Sequence, residues 1–237
     1  MAQYGRIILK LSGEALAPID RAGGCYDPAR VAACADMITR LRDLGVQVGV
    51  VLGGGNIWRG RFSERMNPVN ADQMGMLATV MNALCLEDAL NAAGTPCDVF
   101  SAQEMNRFTQ LYTARAADAC LSSGRVALLS GGTGNPFFTT DTGAALRAAE
   151  LKCDAVFKGT TVDGVYDDDP RKNPNAQLLK DLTYAQCIER GLNVMDTSAF
   201  QLCMERGVKT IRVFSMANLE NVLKVAQGEM IGSTVHA

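Results

Sequence analysis

Histidine is almost absent from this 237-residue chain: the single one, His236, is the penultimate residue. That scarcity leaves no Ser-His-Asp triad, no histidine relay and no His-ligated metal centre to build. Cysteines stand at 25, 34, 85, 97, 120, 153, 187 and 203, and no two form a C-x-x-C pair. A zinc knuckle and a thioredoxin-type redox motif are thereby excluded. Most of the cysteines fall in apolar stretches such as Asn82-Ala83-Leu84-Cys85-Leu86, where cysteine acts as a small hydrophobe. No uninterrupted apolar run reaches the ~18 residues of a membrane span. No secretory signal is read in the opening Met1-Ala2-Gln3-Tyr4-Gly5-Arg6, and a reducing cytosol is the expected compartment. An excess of one charge is missing too, since 23 Lys+Arg against 25 Asp+Glu leave −2. Nothing in that balance advertises a nucleic-acid partner, and 48% apolar residues argue against disorder.

What is present is a set of short apolar runs. Residues 6–11, 46–52, 125–130 and 154–158 have strand length, with 95–100 and 210–214 as further members. Their apolarity is nearly continuous, which predicts strands buried on both faces, as in a parallel sheet. Helical patterns lie between them. Asp27-Pro28 supplies an N-cap and a first-turn proline, and Val31, Cys34, Ala35, Ile38, Leu41 and Leu44 follow the 3.6 period up to Gly45. Residues 69–93 form a long helical candidate, apolar on several sides and ended by Gly94. Strands alternating with helices predict a doubly wound α/β fold, a mainly parallel sheet with helices on both faces. The polar stretch Asp163 to Asn175 breaks the alternation, and Val162-Asp163-Gly164-Val165 reads as a hairpin around Asp-Gly.

Three glycine clusters each follow directly on a buried-type strand: Ser12-Gly13, Gly53-Gly54-Gly55, and Gly131-Gly132-Thr133-Gly134. Ligands of open α/β sheets bind outside the carboxyl ends of the strands. Glycine there lets backbone N–H groups approach phosphate oxygens with no Cβ in the way. One such cluster is an ordinary turn; three in equivalent places, two with a nearby cation (Lys10, Arg59), predict a site for several phosphates. Neither G-x-x-x-x-G-K-[ST] nor a G-x-G-x-x-G after the first strand is present, so Walker-type and dinucleotide-binding sites are not supported.

The motifs Lys10-Leu11-Ser12-Gly13-Glu14-Ala15-Leu16, Gly53 to Gly60, Asp72 to Thr79, Thr133 to Asp141 and Val162 to Tyr166 with Asp169-Pro170 carry a resemblance. The chain resembles the bacterial uridylate (UMP) kinases of the amino acid kinase family, from the first strand to Gly232-Ser233-Thr234. Thr133 to Asp141 is the most specific stretch, because sister kinases of that fold lack it. The resemblance implies an α/β/α sandwich forming one domain over 1–237, with a UMP lobe over roughly 1–150. An ATP lobe over roughly 151–237, joined by the first strand-loop, would complete it. It implies γ-phosphoryl transfer from ATP to UMP, giving UDP for pyrimidine nucleotide synthesis, with Mg²⁺ held mainly by the phosphates. It also implies a homohexamer, GTP as activator and UTP as inhibitor. Two departures stand out: Thr161 where relatives often carry lysine or asparagine, and a loop Ala17–Asp27 unlike that of GTP-activated members.

By the same resemblance, Lys10, Arg59 and Asp141 are the catalytic candidates. Lys10 neutralises the transferring phosphoryl group, Arg59 grips phosphate, and Asp141 orients Lys10 or the transferring phosphate, or else caps the helix that follows. Leu11, Ser12, Gly13, Gly55, Thr160, Tyr166 and Asp169 join Lys10 and Arg59 on the ATP side. Gly54, Asp72, Thr133, Gly134, Asn135, Pro136, Phe137, Phe138, Thr139 and Thr140 make up the UMP side. Asp72 serves equally as a ribose acceptor or as the cap of the long helix. Asp167 and Asp168 read as a solvated acidic loop, Asp196 as a helix cap, Trp58 as packing, and Met74, Met76 and Met81 as core or interface filler. No protein metal site is expected. Two rivals remain: a non-catalytic binding protein of this fold, such as a molybdenum storage protein, and a sister kinase acting on a carboxylate or carbamate. The first would call for histidines that this chain lacks; the second leaves Phe137-Phe138-Thr139-Thr140 without a purpose.

The loop from Thr133 to Thr140 offers donors and acceptors that suit uracil, whereas cytosine inverts two of them at the same edge. A site that hydrogen-bonds its substrate rejects such an analogue by roughly 10⁴-fold. UMP is therefore expected to be used far better than CMP, and Asn135→Ala or Thr140→Ala to erode the preference. Comparable kcat/KM for UMP and CMP would sink this assignment of the loop.

Overall fold

The computed structural model describes residues 2–19, 24–59, 66–192 and 194–237. Gly60 of the second glycine motif and part of the Ala17–Asp27 loop lie outside the described residues. In chain order, β1 (Arg6–Leu11) leads through a 3₁₀ turn into α1 (Pro28–Asp43), β2 (Gln47–Leu52) and α2 (Pro68–Ala92). Then come β3 (Cys97–Ser101), β4 (Gln110–Leu111), α3 (Ala114–Ser122), β5 (Val126–Ser130), α4 (Thr140–Glu150) and β6 (Ala155–Thr160). The chain continues through β7 (Val165–Tyr166), β8 (Leu178–Leu179), β9 (Asp181–Thr183), α5 (Tyr184–Glu189) and α6 (Thr197–Arg206). It closes with β10 (Thr210–Ser215), α7 (Glu220–Ala226) and β11 (Ser233–His236).

Nine strands form one sheet in the order β4-β3-β5-β2-β1-β6-β10-β11-β9. Every pairing in it is parallel except β10 with β11. All six expected strands are present, and both faces are covered. Ile7, Leu9 and Leu11 pack with α1, α2 and α7 on one face. Ile8 points to the other, against Ala144, Ala145 and Ala148 of α4 and Phe200 of α6. Burial on both faces explains the unbroken apolar runs, each such side chain contributing ~1.5–3 kcal/mol.

The helix ends follow their chemistry. Asp27 accepts from Ala29 N and Arg30 N ahead of Pro28, and Gly45 ends the helix region with φ 88°. The hairpin read around Asp163-Gly164 is corrected: β7 pairs antiparallel with β8, so the chain reverses over residues 167–177. Gly164 instead lies hard against β11, where an added Cβ would meet Ser233 Oγ at 2.5 Å. That oxygen accepts from Val165 N at 2.8 Å. A glycine chosen for close approach looks, in sequence, like a glycine chosen for a turn.

Chain order reverses between β1 and β6: β2 lies on one side of β1, while the chain reaches β6 by crossing from β5 to the other. Such a switch point opens a crevice at the carboxyl ends of the strands. Above it the Gly53 loop is locked to α2 through Asn82, which is fully buried. Asn82 Nδ2 donates to Gly53 O at 2.7 Å and to Asn56 Oδ1 at 2.8 Å, and Asn56 Nδ2 returns a bond to Asn82 Oδ1 at 3.0 Å. Removing one partner leaves buried polar groups unpaired, which costs ~1–3 kcal/mol. Asn82→Ala is expected to lower unfolding stability by about that amount in urea titration. An unchanged midpoint would show that the amide pair contributes nothing.

Candidate active site

Strand alternation decides which side chains reach the crevice. Ile8 faces the α4 layer, so Lys10, two residues on, faces it as well. Val156 faces the same layer, and so does Lys158. The β1–β6 register sets Lys10 directly beside Lys158. Two ammonium groups side by side in a protein interior repel and lose hydration, and the arrangement needs an anion.

Asp141 is that anion. Thr139 caps α4, accepting from Asp141 N at 3.1 Å and Thr142 N at 3.3 Å, so Asp141 is free of the capping role. Its Oδ2 accepts from Lys158 Nζ, and Lys10 Nζ stands 3.2 Å from Oδ1, off the direction of a hydrogen bond. Burial opposes ionisation of Asp141, yet the two lysines outweigh it and hold its carboxyl below the usual range. Burial acts on Lys158 in the other sense: loss of water and the charge of Lys10 prevail over Asp141, and its ammonium is pushed down to about 8. Lys158 is 7% exposed. The sequence reading missed it, although a lysine inside the apolar run Ala155-Val156-Phe157 carries the same signal as Lys10.

Asp196 ties α6 to this cluster. It caps α6 through Ala199 N at 2.9 Å and accepts from the hydroxyls of Thr139 and of Thr142, the latter at 2.9 Å. The expected cap is there, and it also buttresses the helix end that carries Asp141.

Beside the trio lies a cavity of about 610 Å³. It is lined by Gly54, Gly55, Trp58, Arg59, Asp72, Thr133, Asn135, Phe138, Thr139 and Thr140. Gly54 is there because an added Cβ would sit 2.8 Å from both Ala78 Cβ and Gly75 O of α2. Arg59 Nε donates to Gly55 O at 3.0 Å, and its Nη2 pairs with Glu14, which also takes the Ser12 hydroxyl. Glu14 was not among the expected site residues. Its carboxylate gathers the Ser12 and Arg59 donors around an oxyanion, as a phosphate would. Trp58 packs as expected, Nε1 donating to Ala71 O at 2.9 Å.

Asp72 is not a helix cap; Asn67 holds that place, accepting from Val69 N at 2.9 Å. Asp72 lies one turn further on and accepts from Phe137 N at 2.7 Å, holding the Thr133–Thr140 loop over the cavity. Phe137 takes a positive φ of 71°, and its side chain is exposed. Gly134 and Pro136 line a separate hollow with Gln103 rather than the main cavity. Leu11 lies in the core, its carbonyl accepting from Gly53 N at 2.9 Å. An added Cβ on Gly13 would collide with Asn56 Oδ1 at 2.2 Å.

A second cavity of about 500 Å³ is lined by Tyr166, Asp169, Arg171 and Arg190 among others. Asp167 and Asp168 rim it, Asp168 accepting from Asn173 Nδ2 at 2.9 Å, as a solvated loop would. Thr160, at the end of β6, turns its hydroxyl to Val162 O. At the unusual Thr161, the hydroxyl accepts from Arg171 Nη2 at 2.5 Å. No group of three His, Cys, Asp or Glu side chains that could hold a metal occurs among the described residues. No helix in them is long and apolar enough to cross a membrane.

The family model described as "Amino acid kinase family" matches residues 5–215. The uridylate kinase of Bacteroides thetaiotaomicron is 46% identical over 238 aligned positions, covering 100% of both chains. The UMP kinase structure from Bacillus anthracis superposes with TM-score 0.93 at 32% identity, covering 98% of this chain and 96% of the other. That of Ureaplasma parvum gives TM-score 0.92 at 34% identity, covering 99% and 100%.

Lys158 sheds its proton as pH rises through about 8. The charged form is the one that attracts an anion. Sulfate, whose own charge is constant in this range, should lose affinity approaching tenfold per pH unit above about 8. Calorimetric titration of the wild type and of Lys158→Met checks this; the variant should show no such loss. Wild-type affinity that is level between pH 7 and 9 would contradict it.

Proposed function

The chain belongs to the amino acid kinase family, and from that premise we propose that this site transfers the γ-phosphoryl group of ATP to UMP, forming UDP. The observation that carries the reading is the Lys10–Asp141–Lys158 cluster, placed beside a cavity at the carboxyl ends of the strands. Phosphoryl transfer needs little covalent chemistry from the protein; it needs two substrates in line and charge neutralised as it moves. Lys10 and Lys158 supply that charge, and Asp141 holds both ammonium groups on one side of the crevice. None of these groups acts as a nucleophile: the UMP phosphate oxygen attacks, and ADP leaves.

Cavity position supports a division of labour. The 610 Å³ cavity, with Asp72 and the Thr133–Thr140 loop on its rim, suits UMP. Asp72 would exchange its bond to Phe137 N for one to a ribose hydroxyl. Arg59 and the Gly54-Gly55 backbone stand at the junction, where the acceptor phosphate meets the donor. The cavity of Tyr166 and Asp169 suits the adenosine end of ATP, with Ser12 and Gly13 on its phosphates. That division of labour would correspond to a UMP lobe over roughly 1–150 and an ATP lobe over roughly 151–237 joined by the first strand-loop.

Mg²⁺ fits this donor set as an ion brought by the phosphates rather than caged by protein. Asp141 Oδ1 is a buried oxygen with no hydrogen bond, and it is the protein atom suited to reach such an ion. Asp141 would hold such an ion there, and the chemistry it supplies would be charge neutralisation at the phosphates. The exposed Met74, Leu77 and Met81 along α2 support association between copies of the chain. Six buried cysteines, with all eight unpaired, support a reducing cytosol.

Lys10→Ala is expected to lower kcat by roughly 10²-fold or more while changing UMP affinity less. Coupled measurement of UDP formation with direct UMP titration reads both quantities. A near wild-type kcat would remove Lys10 from the mechanism.

A further inference from the structure

Behind the Gly131-Gly132 turn lies a charged cluster that the transfer reaction does not use. Arg147 of α4 is 5% exposed, an unusual place for a guanidinium. Its Nη1 donates to Glu150 Oε2 at 2.7 Å, and its Nη2 donates to Gly132 O at 3.1 Å. Its face lies over the Tyr112 ring, 3.7 Å from the centroid, and Tyr112 Oη donates to Glu150 Oε2 at 2.7 Å. One guanidinium, held by two further side chains, therefore grips one backbone carbonyl.

That carbonyl belongs to the wall of the UMP cavity. Gly132 and Thr133 line it, while Arg147 does not. A peptide is planar and trans, so its C=O and the next N–H point in opposite directions. Drawing Gly132 O back toward Arg147 turns Thr133 N–H the other way. Neither Gly132 N nor Thr133 N meets an acceptor among the described residues. Gly131 and Gly132 both have positive φ, 76° and 59°, a backbone that glycine adopts without strain, and Gly131 N is anchored to Thr79 Oγ1 at 2.8 Å. Gly143 of α4 backs the turn, with Gly132 C 3.5 Å from where its Cβ would be, so the peptide has a support to lean on.

We infer, resting on the UMP reading above, that Arg147 is a positioning residue that fixes the Gly132–Thr133 peptide so that its N–H donates to an oxygen of UMP. The oxygen is on the phosphate or on the uracil ring; both are acceptors that the same N–H would serve. Arg147 itself stays out of the cavity. Glu150 and Tyr112 hold the guanidinium flat against Gly132 O, and loss of either lets the peptide rotate.

The test compares wild type, Arg147→Met, Arg147→Lys and Glu150→Gln by steady-state kinetics and by direct titration with UMP. Losing one well-placed hydrogen bond should raise KM and Kd for UMP about 10-fold in Arg147→Met, with KM for ATP within about twofold. Lysine, which can reach one partner but lacks the fork, should recover part of the loss. Glu150→Gln, which leaves Arg147 in place, should give a smaller rise and guards against a failure of Arg147→Met to fold. Titration with uridine separates the two oxygens: unchanged uridine affinity in the variants assigns the phosphate, a matching loss assigns the ring. Unchanged UMP affinity in both Arg147→Lys and Glu150→Gln, or equal rises in KM for UMP and ATP, would overturn the inference. Absence of UDP formation by the wild type would instead overturn the kinase reading, while the UMP titrations would still test Arg147.

Discussion

Two lysine ammonium groups held side by side in a nearly closed crevice are the constraint from which the rest of the site follows. Isolated burial of either would be expensive, and the pair repels itself as well. One carboxylate, Asp141, faces both. Its position demands that α4 begin where it does, which is the work of Thr139 as cap and of Asp196 behind Thr139 and Thr142. Lys10, Lys158 and Asp141 together carry a net positive charge, and the next acid, Asp196, stands behind Thr139 and Thr142. A site left cationic in this way is completed by the phosphates of its substrates.

Backbone geometry does as much as charge. Lys10 and Lys158 are neighbours only because β1 and β6 pair in parallel with that register, and β6 pairs with β1 only because the chain crosses over after β5. The glycine loops follow the same logic. Gly54 accepts the close passage of α2, and Gly13 accepts Asn56. Each contact leaves the loop backbone at the crevice without a side chain in between, held in place by the sheet and α2.

Glu14 shows the anion preference of this cradle: its carboxylate takes Arg59 and the Ser12 hydroxyl. Asp72 plays a similar part on the other rim, holding Phe137 N in a loop whose backbone there is strained. Both acids line the cavity, and an anion arriving at these places competes with an internal one.

Fold class was legible in the sequence because burial on both faces writes itself as unbroken apolar runs, and those runs alternate with capped helical periods. The glycine clusters were legible for a related reason: a loop that must leave its backbone bare can use few other residues. Lys10 stood out as a charge at the end of such a run, and Lys158 carried the same mark. Pairing was what the sequence did not contain. That Lys158 stands beside Lys10, that Asp141 faces both, and that Asp72 reaches Phe137 all depend on groups 17 to 148 residues apart being brought together by the fold. Asp163-Gly164 was misread for that reason, since its glycine answers to Ser233, far along the chain. Local pattern records what one segment buries and where it turns; which buried charge meets which is decided by strand order and register.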